Sequence, residues 1–260
     1  MKMRKKVKYL FNDLFRLIQK KELYLSIIGV ACVLNFSTRD GGGISKSVLW
    51  TMLYSTYGVG FILSFVFCAL PYATVFCEEL ETQYVKYAVI RGNLKYYIFS
   101  KILIIFSSSI LVMSAGCVLF AVCCSVRLPW IDADTLEQVL NTGGYSGILK
   151  NNMYILWFVL YGIQWGVYAG CLSLISAYVS LYMSNKLLVL AVPAFTHQLI
   201  IELVTNRFSE IEMFNPLIVF DARYNIFGSD VYMILWFFLI GGCYIILAGY
   251  ASYKKMKKRM

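Results

Sequence analysis

The residues best suited to chemistry are two adjacent glutamates and a single histidine. Glu78 and Glu79 form a pair of the kind that activates water in membrane-embedded proteases. That arrangement also needs an arginine where Gln83 stands and histidines from two further helices, but His197 is the only histidine in the chain. Too few members of a hydrolytic site are therefore present, and a protease is the weakest of the functions we consider.

A second polar group lies within the predicted membrane spans. Ionisable groups inside a bilayer cost free energy and are candidates for function by default. One alternative function is therefore an ion-coupled transporter in which His197 and Glu202 bind a proton or an ion. A packing role for His197, and contact of Glu202 with water at the span's end, account for them equally well. The candidate substrate path comprises Gln164, His197, Gln198 and Glu202.

Neither a nucleotide nor a metal site is predicted. The segment Arg39 to Lys46, RDGGGISK, superficially resembles a phosphate-binding loop, but Ser45 stands where the motif needs glycine and no strand precedes it. The eight cysteines include no CxxC pair and read as packing residues. We therefore expect no metal and no cofactor bound by this chain.

The composition identifies an all-α polytopic membrane protein. Hydrophobic residues make up 60% of the 260 residues and charged residues 15%, against about 25% charged in soluble domains. Apolar runs repeatedly approach the roughly 20 residues that a bilayer-spanning helix needs. We predict one transmembrane domain over residues 1–260. Its six predicted spans are Leu23 to Phe36, Val48 to Phe76, Ile102 to Val126, Met153 to Met183, Leu187 to Leu203 and Val231 to Tyr253.

The basic residues predict which side each loop occupies. Cytoplasmic segments of membrane proteins are enriched in Lys and Arg. Only six of the 24 Lys and Arg residues fall in predicted external segments, which include the loops 127–152 and 205–230. Both termini are therefore predicted to be cytoplasmic, and the net charge of +10 needs no nucleic acid partner. The six are Arg39, Lys46, Arg127, Lys150, Arg207 and Arg223.

Two further patterns concern contacts of helices. Residues 1–22 carry an apolar stripe among basic residues, which predicts an amphipathic helix lying at the lipid interface, with contact to a protein partner as the alternative. Gly162, Gly166 and Gly170 recur every four residues, and such a stripe lets another helix approach closely. We favour packing within one subunit over a dimer interface for this stripe.

The segment 77–101, CEELETQYVKYAVIRGNLKYYIFSK, is the densest mixture of charges between two spans. Glutamates at its start suit a helix N-terminus, and Arg91-Gly92-Asn93 is a turn signal. We predict a helix, a break near that turn and a second helix entering the third span. The aromatic and apolar residues from Tyr84 to Ile90 indicate a surface that contacts a partner.

This segment resembles the element that follows the second span in ABC-2-type transporter permeases. The shared pattern is an aromatic residue, an acidic cluster before Thr82, a short amphipathic helix, a basic turn and a lysine, Lys101, opening the third span. The amphipathic N-terminal helix and an Asn-Pro pair before the last span agree in layout. Glu81 departs from the pattern, because the family often has glycine there.

The resemblance implies a type V exporter-like fold and a permease subunit without its own ATPase. A separate ABC ATPase would bind ATP and Mg²⁺, and a second permease subunit would complete the path. The cargo would be an amphipathic peptide, antibiotic, drug or lipid, exported across a bacterial plasma membrane. The coupling helix seated on the ATPase would contain Glu78, Glu79, Glu81, Tyr84, Lys86 and Arg91.

Overall fold

The computed structural model describes residues 2–40, 46–85, 87, 93–142, 144–207, 213 and 215–259. Their regular secondary structure is helical, and no β-strand occurs among them. We number the α-helices along the chain. They are α1 (Lys2–Gln19), α2 (Lys21–Asp40), α3 (Val48–Ser55), α4 (Ile62–Ala69), α5 (Val75–Glu81), α6 (Leu94–Ser125), α7 (Ala133–Thr142), α8 (Ser146–Lys150), α9 (Tyr154–Val179), α10 (Lys186–Arg207), α11 (Pro216–Val219) and α12 (Asp230–Arg259).

In the described part of the chain, four helices are long and apolar enough to cross a membrane, namely α6, α9, α10 and α12. A fifth span results if α3 and the stretch Val59–Ala69 count as one bent crossing. This is compatible with a helical membrane protein. The predicted first span is a helix, α2, but charged residues at both of its ends leave an apolar part shorter than the roughly 20 residues a bilayer requires. The sixth span therefore remains a prediction.

The predicted second span is broken where the sequence suggested one long helix. The axis turns by 74° between α3 and the helical stretch that starts at Val59. Gly58 lies at this bend, and a Cβ there would stand 2.1 Å from Ser37 Oγ of α2. A second interruption, residues 70–74, surrounds Pro71, and proline commonly kinks or ends a helix. The bend is thus held by close contact with α2, which local sequence patterns do not reveal.

The antiparallel pair of α6 and α9 forms the centre of the bundle. A Cβ built on Gly162 would lie 2.5 Å from Ser114 Cα, and one on Gly166 would lie 2.8 Å from Ile110 Cα. A Cβ on Gly170 would meet the Phe106 ring at 2.7 Å. The glycine stripe therefore faces α6 of the same chain and lets the two backbones approach closely. Packing within one subunit accounts for it without a second copy.

Contacts between loops and helix ends sort into two groups. At one end of the bundle, Lys20 Nζ donates to Pro71 O at 3.3 Å, and Lys255 Nζ lies 3.8 Å from the centre of the Tyr182 ring. At the other end, Val48 N donates to Pro129 O at 2.9 Å. Lys20 and Lys255 belong to predicted cytoplasmic segments, and Pro71 and Tyr182 lie near the predicted inner ends of the second and fourth spans. Val48 begins the second span at its predicted outer end, and Pro129 lies in the predicted external loop 127–152.

The tight α6–α9 contact gives a test of the glycine stripe. Replacing Gly166 with alanine should lower the thermal unfolding temperature of the detergent-solubilised protein. The new methyl group must displace the α6 backbone, and overpacking of this kind costs about 1–3 kcal/mol. Gly249→Ala is the matched control, because nothing lies within 4 Å of a Cβ at that helical glycine. Equal unfolding temperatures for the two variants would contradict the packing described here.

Candidate functional site

A buried ion cluster lies at the predicted cytoplasmic end of the bundle, with Lys101 at its centre. The Lys101 side chain is only 1% exposed. Its Nζ donates to Asp13 Oδ1 at 2.7 Å and to Glu79 Oε1 at 2.7 Å. The rings of Tyr72 and Tyr97 also lie 5.3 and 5.6 Å from this ammonium group. One cation is thus enclosed by two carboxylates and two aromatic faces.

Each carboxylate has further donors. Asp13 accepts hydrogen bonds from Ser100 Oγ at 2.6 Å and from Tyr72 OH at 3.1 Å. Glu79 accepts from Tyr97 OH and from Arg16 Nη1, the latter at 3.2 Å. Buried carboxylates need this many partners to offset the loss of water. With Arg16 included, the cluster contains two acidic and two basic side chains.

Helical spacing explains how three distant parts of the sequence build this cluster. Asp13 and Arg16 are three residues apart on α1, so they lie on one face of that helix. Tyr97, Ser100 and Lys101 share one face of the first turns of α6 in the same way. Glu79 comes from the short helix α5 that follows the Pro71 turn. The cluster therefore fixes α1 and α5 against the start of α6.

Glu78 extends the cluster toward solvent. Its carboxylate lies 3.5 Å from Lys20 Nζ and 3.7 Å from Lys186 Nζ at the start of α10, and it accepts a hydrogen bond from Thr74 Oγ1 at 3.0 Å. These pairs are partly exposed, and such pairs contribute at most about 1 kcal/mol each. The pair with Lys186 connects α5 with the turn between α9 and α10. Cys77 Sγ of α5 also donates to Met183 O of this turn at 2.9 Å.

The charges and dipoles around Asp13 and Glu79 are matched by donors from several helices. Tyr72, in the turn that precedes α5, donates its hydroxyl hydrogen to Asp13 and so connects this turn with α1. At the outer edge of the cluster, burial acts to lower the pKa of Arg16, but Glu79 and its other neighbours raise it overall.

Helix α1 docks on the bundle through its polar face. Asp13 is buried in the cluster and Leu17 is buried beside it, whereas Phe11, Phe15 and Ile18 on the opposite side are largely exposed, Phe11 by 66%. An amphipathic helix with a free apolar face fits the lipid interface. This is the orientation expected for the predicted interfacial helix, with the bundle holding its charged side.

The predicted coupling residues separate into three groups. Glu78 and Glu79 belong to the ion cluster. Glu81 and Tyr84 are exposed near the end of α5, and Arg16 lies 5.1 Å from the Tyr84 ring centre. Lys86 and Arg91 lie outside the described residues.

Helix α5 ends earlier than the break predicted near Arg91. It stops at Glu81, and Gln83 adopts a left-handed backbone with φ of 54°.

The predicted substrate-path residues are not brought together. Gln164 is buried, accepts from Tyr145 OH at 2.8 Å and donates to Val219 O at 2.7 Å, so it connects α9 to the segments around α8 and α11. His197 is also buried, with Nδ1 2.9 Å from Tyr168 OH and its ring against Phe65. Gln198 and Glu202 are exposed on α10. Two of the four are buried and two are exposed, so they do not form one site.

Most members of the ion cluster carry no clear signal in the sequence. Asp13 carried a signal, because it is the only acidic residue within the otherwise basic α1. Lys101 was noted only as the residue that opens the third span. Tyr72, Tyr97 and Ser100 carry no signal of their own, since tyrosine and serine are common at membrane interfaces.

Comparisons with known proteins add no assignment. No family model matches this chain, no curated protein matches it, and no solved structure matches it.

Removing Lys101 tests the cluster. Lys101→Met should destabilise the protein by about 3–5 kcal/mol, because it leaves two buried carboxylates without their shared cation. Thermal unfolding in detergent measures this. The triple variant Asp13→Asn, Glu79→Gln and Lys101→Met removes all three charges and should recover much of the loss. Lys21→Met, at an exposed position on α2, is the control and should have little effect.

A result in which Lys101→Met unfolds at the temperature of the wild-type protein would refute the burial of this ion cluster. A triple variant no more stable than Lys101→Met would show that hydrogen bonding, rather than charge balance, governs the site.

Proposed function

We propose that this chain is the membrane-spanning subunit of an ABC-2-type ATP-binding cassette transporter. It would export an amphipathic substrate, driven by a separate ATPase subunit that binds ATP and Mg²⁺. The observation that carries the proposal is the buried cluster of Asp13, Glu79 and Lys101. It fixes α5, the element that resembles a coupling helix, to the first turns of a central span.

The cluster provides a mechanical route from a partner to the spans. Exposed Glu81 and Tyr84 lie on the same short segment as buried Glu79. A partner that moves this segment must also move Lys101 or break its ion pairs, and breaking them would leave charges buried without partners. Motion of α5 would therefore pass to α6 and, through the glycine contact, to α9. An ATPase that closes on nucleotide would bias such a two-state movement.

A six-span arrangement with cytoplasmic termini is part of the proposal. At the start of α2, the preceding residue Lys20 donates to Pro71 O. Near the other end of α2, Ser37 Oγ donates to Ser55 O, at the C-terminal end of α3, at 2.6 Å. It thus extends between the two groups of loop contacts, as a spanning helix would. Its polar ends would be tolerated if the bilayer thins locally or the ends reach the interface.

A second permease subunit and a plasma-membrane location complete the proposal. Helices α10 and α12 expose large apolar side chains such as Leu187, Leu199 and Ile246. Apolar faces of this kind suit lipid or a second permease subunit. The ion-coupled alternative receives no specific support, because His197 is buried and Glu202 is exposed rather than meeting in one site.

Coupling to an ATPase gives the decisive experiment. We expect Glu81→Lys combined with Tyr84→Ala to abolish association with the candidate ABC ATPase of the same genome, or to reduce coupled ATP hydrolysis about tenfold or more. Loss of an aromatic anchor and reversal of a nearby charge typically cost more than 1–2 kcal/mol at an interface. Co-purification and ATPase activity in proteoliposomes provide the readouts. Both positions are exposed, and although Tyr84 contacts Arg16, neither position takes part in the pairs that Lys101 makes with Asp13 and Glu79, so these pairs should remain intact.

The matched control is Glu22→Lys, an equal charge reversal at an exposed position at the start of α2. It should assemble and hydrolyse ATP as the wild-type protein does. Substituting Glu78 and Glu79 would be a poorer test, since Glu79 supports the fold. Normal assembly and coupling in the Glu81/Tyr84 variant would reject the coupling role of this segment.

A further inference from the structure

A second polar centre lies at the opposite end of α6 from the ion cluster. There a cavity of about 550 Å³ opens between α3, the bend that follows it, α7 and the segment after α11. None of the described residues that line it is acidic. The lining residues that concern us are Trp50, Tyr54, Tyr57, Gln138, Arg223 and Tyr224.

This cavity continues inward. A smaller space of about 290 Å³ shares Tyr57, Arg223 and Tyr224 with it and extends to Trp165 and His197 in the core. The shared residues therefore lie between an outer space and an inner one. A molecule bound in the outer cavity would have Arg223 at its inner boundary.

Arg223 is held rigidly at this boundary. Its side chain is 12% exposed. Nε lies 2.9 and 2.8 Å from the two oxygens of Asp221, and Nη2 also donates to that carboxylate. The guanidinium carbon lies 4.4 Å from the centre of the Tyr57 ring. Within the described part of the chain, these contacts use Nε and Nη2, so the N–H groups of Nη1 can donate to an acceptor on a ligand.

Aromatic rings form a wall that leads to this arginine. The Trp50 and Tyr54 rings, one helical turn apart on α3, lie 4.2 Å apart between centroids, and the Tyr54 and Tyr57 rings lie 6.4 Å apart. Tyr57 is 68% exposed although it is a large aromatic residue. Such a wall offers apolar surface with hydroxyl groups at its edge, which suits a ligand with both characters.

We propose that this cavity binds an amphipathic anion. A phosphate or carboxylate group would accept hydrogen bonds from Arg223 Nη1 and the neighbouring tyrosine hydroxyls, while the apolar part would lie along Trp50, Tyr54 and Tyr57. The described lining of the outer cavity contains hydrogen-bond donors and no carboxylate, and this disfavours a cationic ligand. The anion could be the headgroup of a membrane lipid or a free amphiphile such as a fatty acid, since both carry this chemistry. The site does not depend on the ATPase.

The test uses the purified full chain in a non-ionic detergent and three probes. Short-chain phosphatidylglycerol represents the lipid source, laurate the free amphiphile, and lauryl alcohol is the neutral match for laurate. Binding is measured by calorimetry and by tryptophan fluorescence. We expect at least one anionic probe to bind about tenfold or more tightly than lauryl alcohol, because a hydrogen bond to a charged group is stronger than one to a neutral group. Binding of phosphatidylglycerol alone would identify a lipid site, and comparable binding of laurate would identify a free amphiphile.

Two variants locate the binding. Gln138→Trp places a large ring at an exposed position of α7 that lines the cavity. The ring should occupy part of the space for the ligand and weaken anion binding about tenfold, the effect of losing one anchoring contact. Glu137→Trp, its exposed neighbour outside the lining, is the control and should bind as the wild-type protein does. The paired change Asp221→Asn with Arg223→Gln removes the charges without leaving one unpaired, and it should abolish the preference for anions.

Equal binding of laurate and lauryl alcohol with no preference for phosphatidylglycerol would overturn the proposal. So would anion binding that is unchanged in both Gln138→Trp and the paired Asp221/Arg223 variant, provided that their unfolding temperatures match that of the wild-type protein.

Discussion

The burial of the Lys101 ammonium group is the constraint on which the inner end of this bundle depends. Removing a charge from water costs several kcal/mol even after a protein relaxes around it, so a buried lysine requires partners at close range. Here those partners come from α1 and α5, with Asp13 and Glu79 each 2.7 Å away. Neither helix can leave α6 without exposing or isolating a charge. The positions of the amphipathic helix and of the short helix after Pro71 follow from this single requirement.

The opposite end of α6 is organised by a different means. Ser47 begins α3, accepts a hydrogen bond from Trp50 N and donates to Asp132, which also accepts from Thr135 N at 3.1 Å. These hydrogen bonds lower the pKa of Asp132 although its partial burial acts in the other direction. They anchor the start of α3 to the segment that precedes α7, at the end of the bundle where the 74° bend and the aromatic cavity lie. Helix α6 thus extends from the buried ion cluster to the aromatic cavity.

Features with a local signature could be predicted from the sequence, and features made by distant contacts could not. The long apolar runs predicted α6, α9, α10 and α12, and the four-residue spacing of glycines predicted close helix packing. The pair of Asp13 and Lys101 is separated by 88 positions in the chain, so no periodicity reveals it. The bend before Val59 likewise depends on Ser37 of α2 meeting Gly58. In both cases the missing information is which helix lies next to which.

A buried ion cluster is not the most effective way to stabilise a helix bundle. Apolar residues of similar volume often stabilise a buried site as well or better. What Lys101 adds is a defined register, since its ammonium group must meet two carboxylates on two different helices and apolar packing would tolerate sliding. We infer that register matters here because α5 carries an exposed surface while α6 carries the core. Under the proposed function a partner moves α5, and a contact that keeps its register would pass this movement to α6 without slipping.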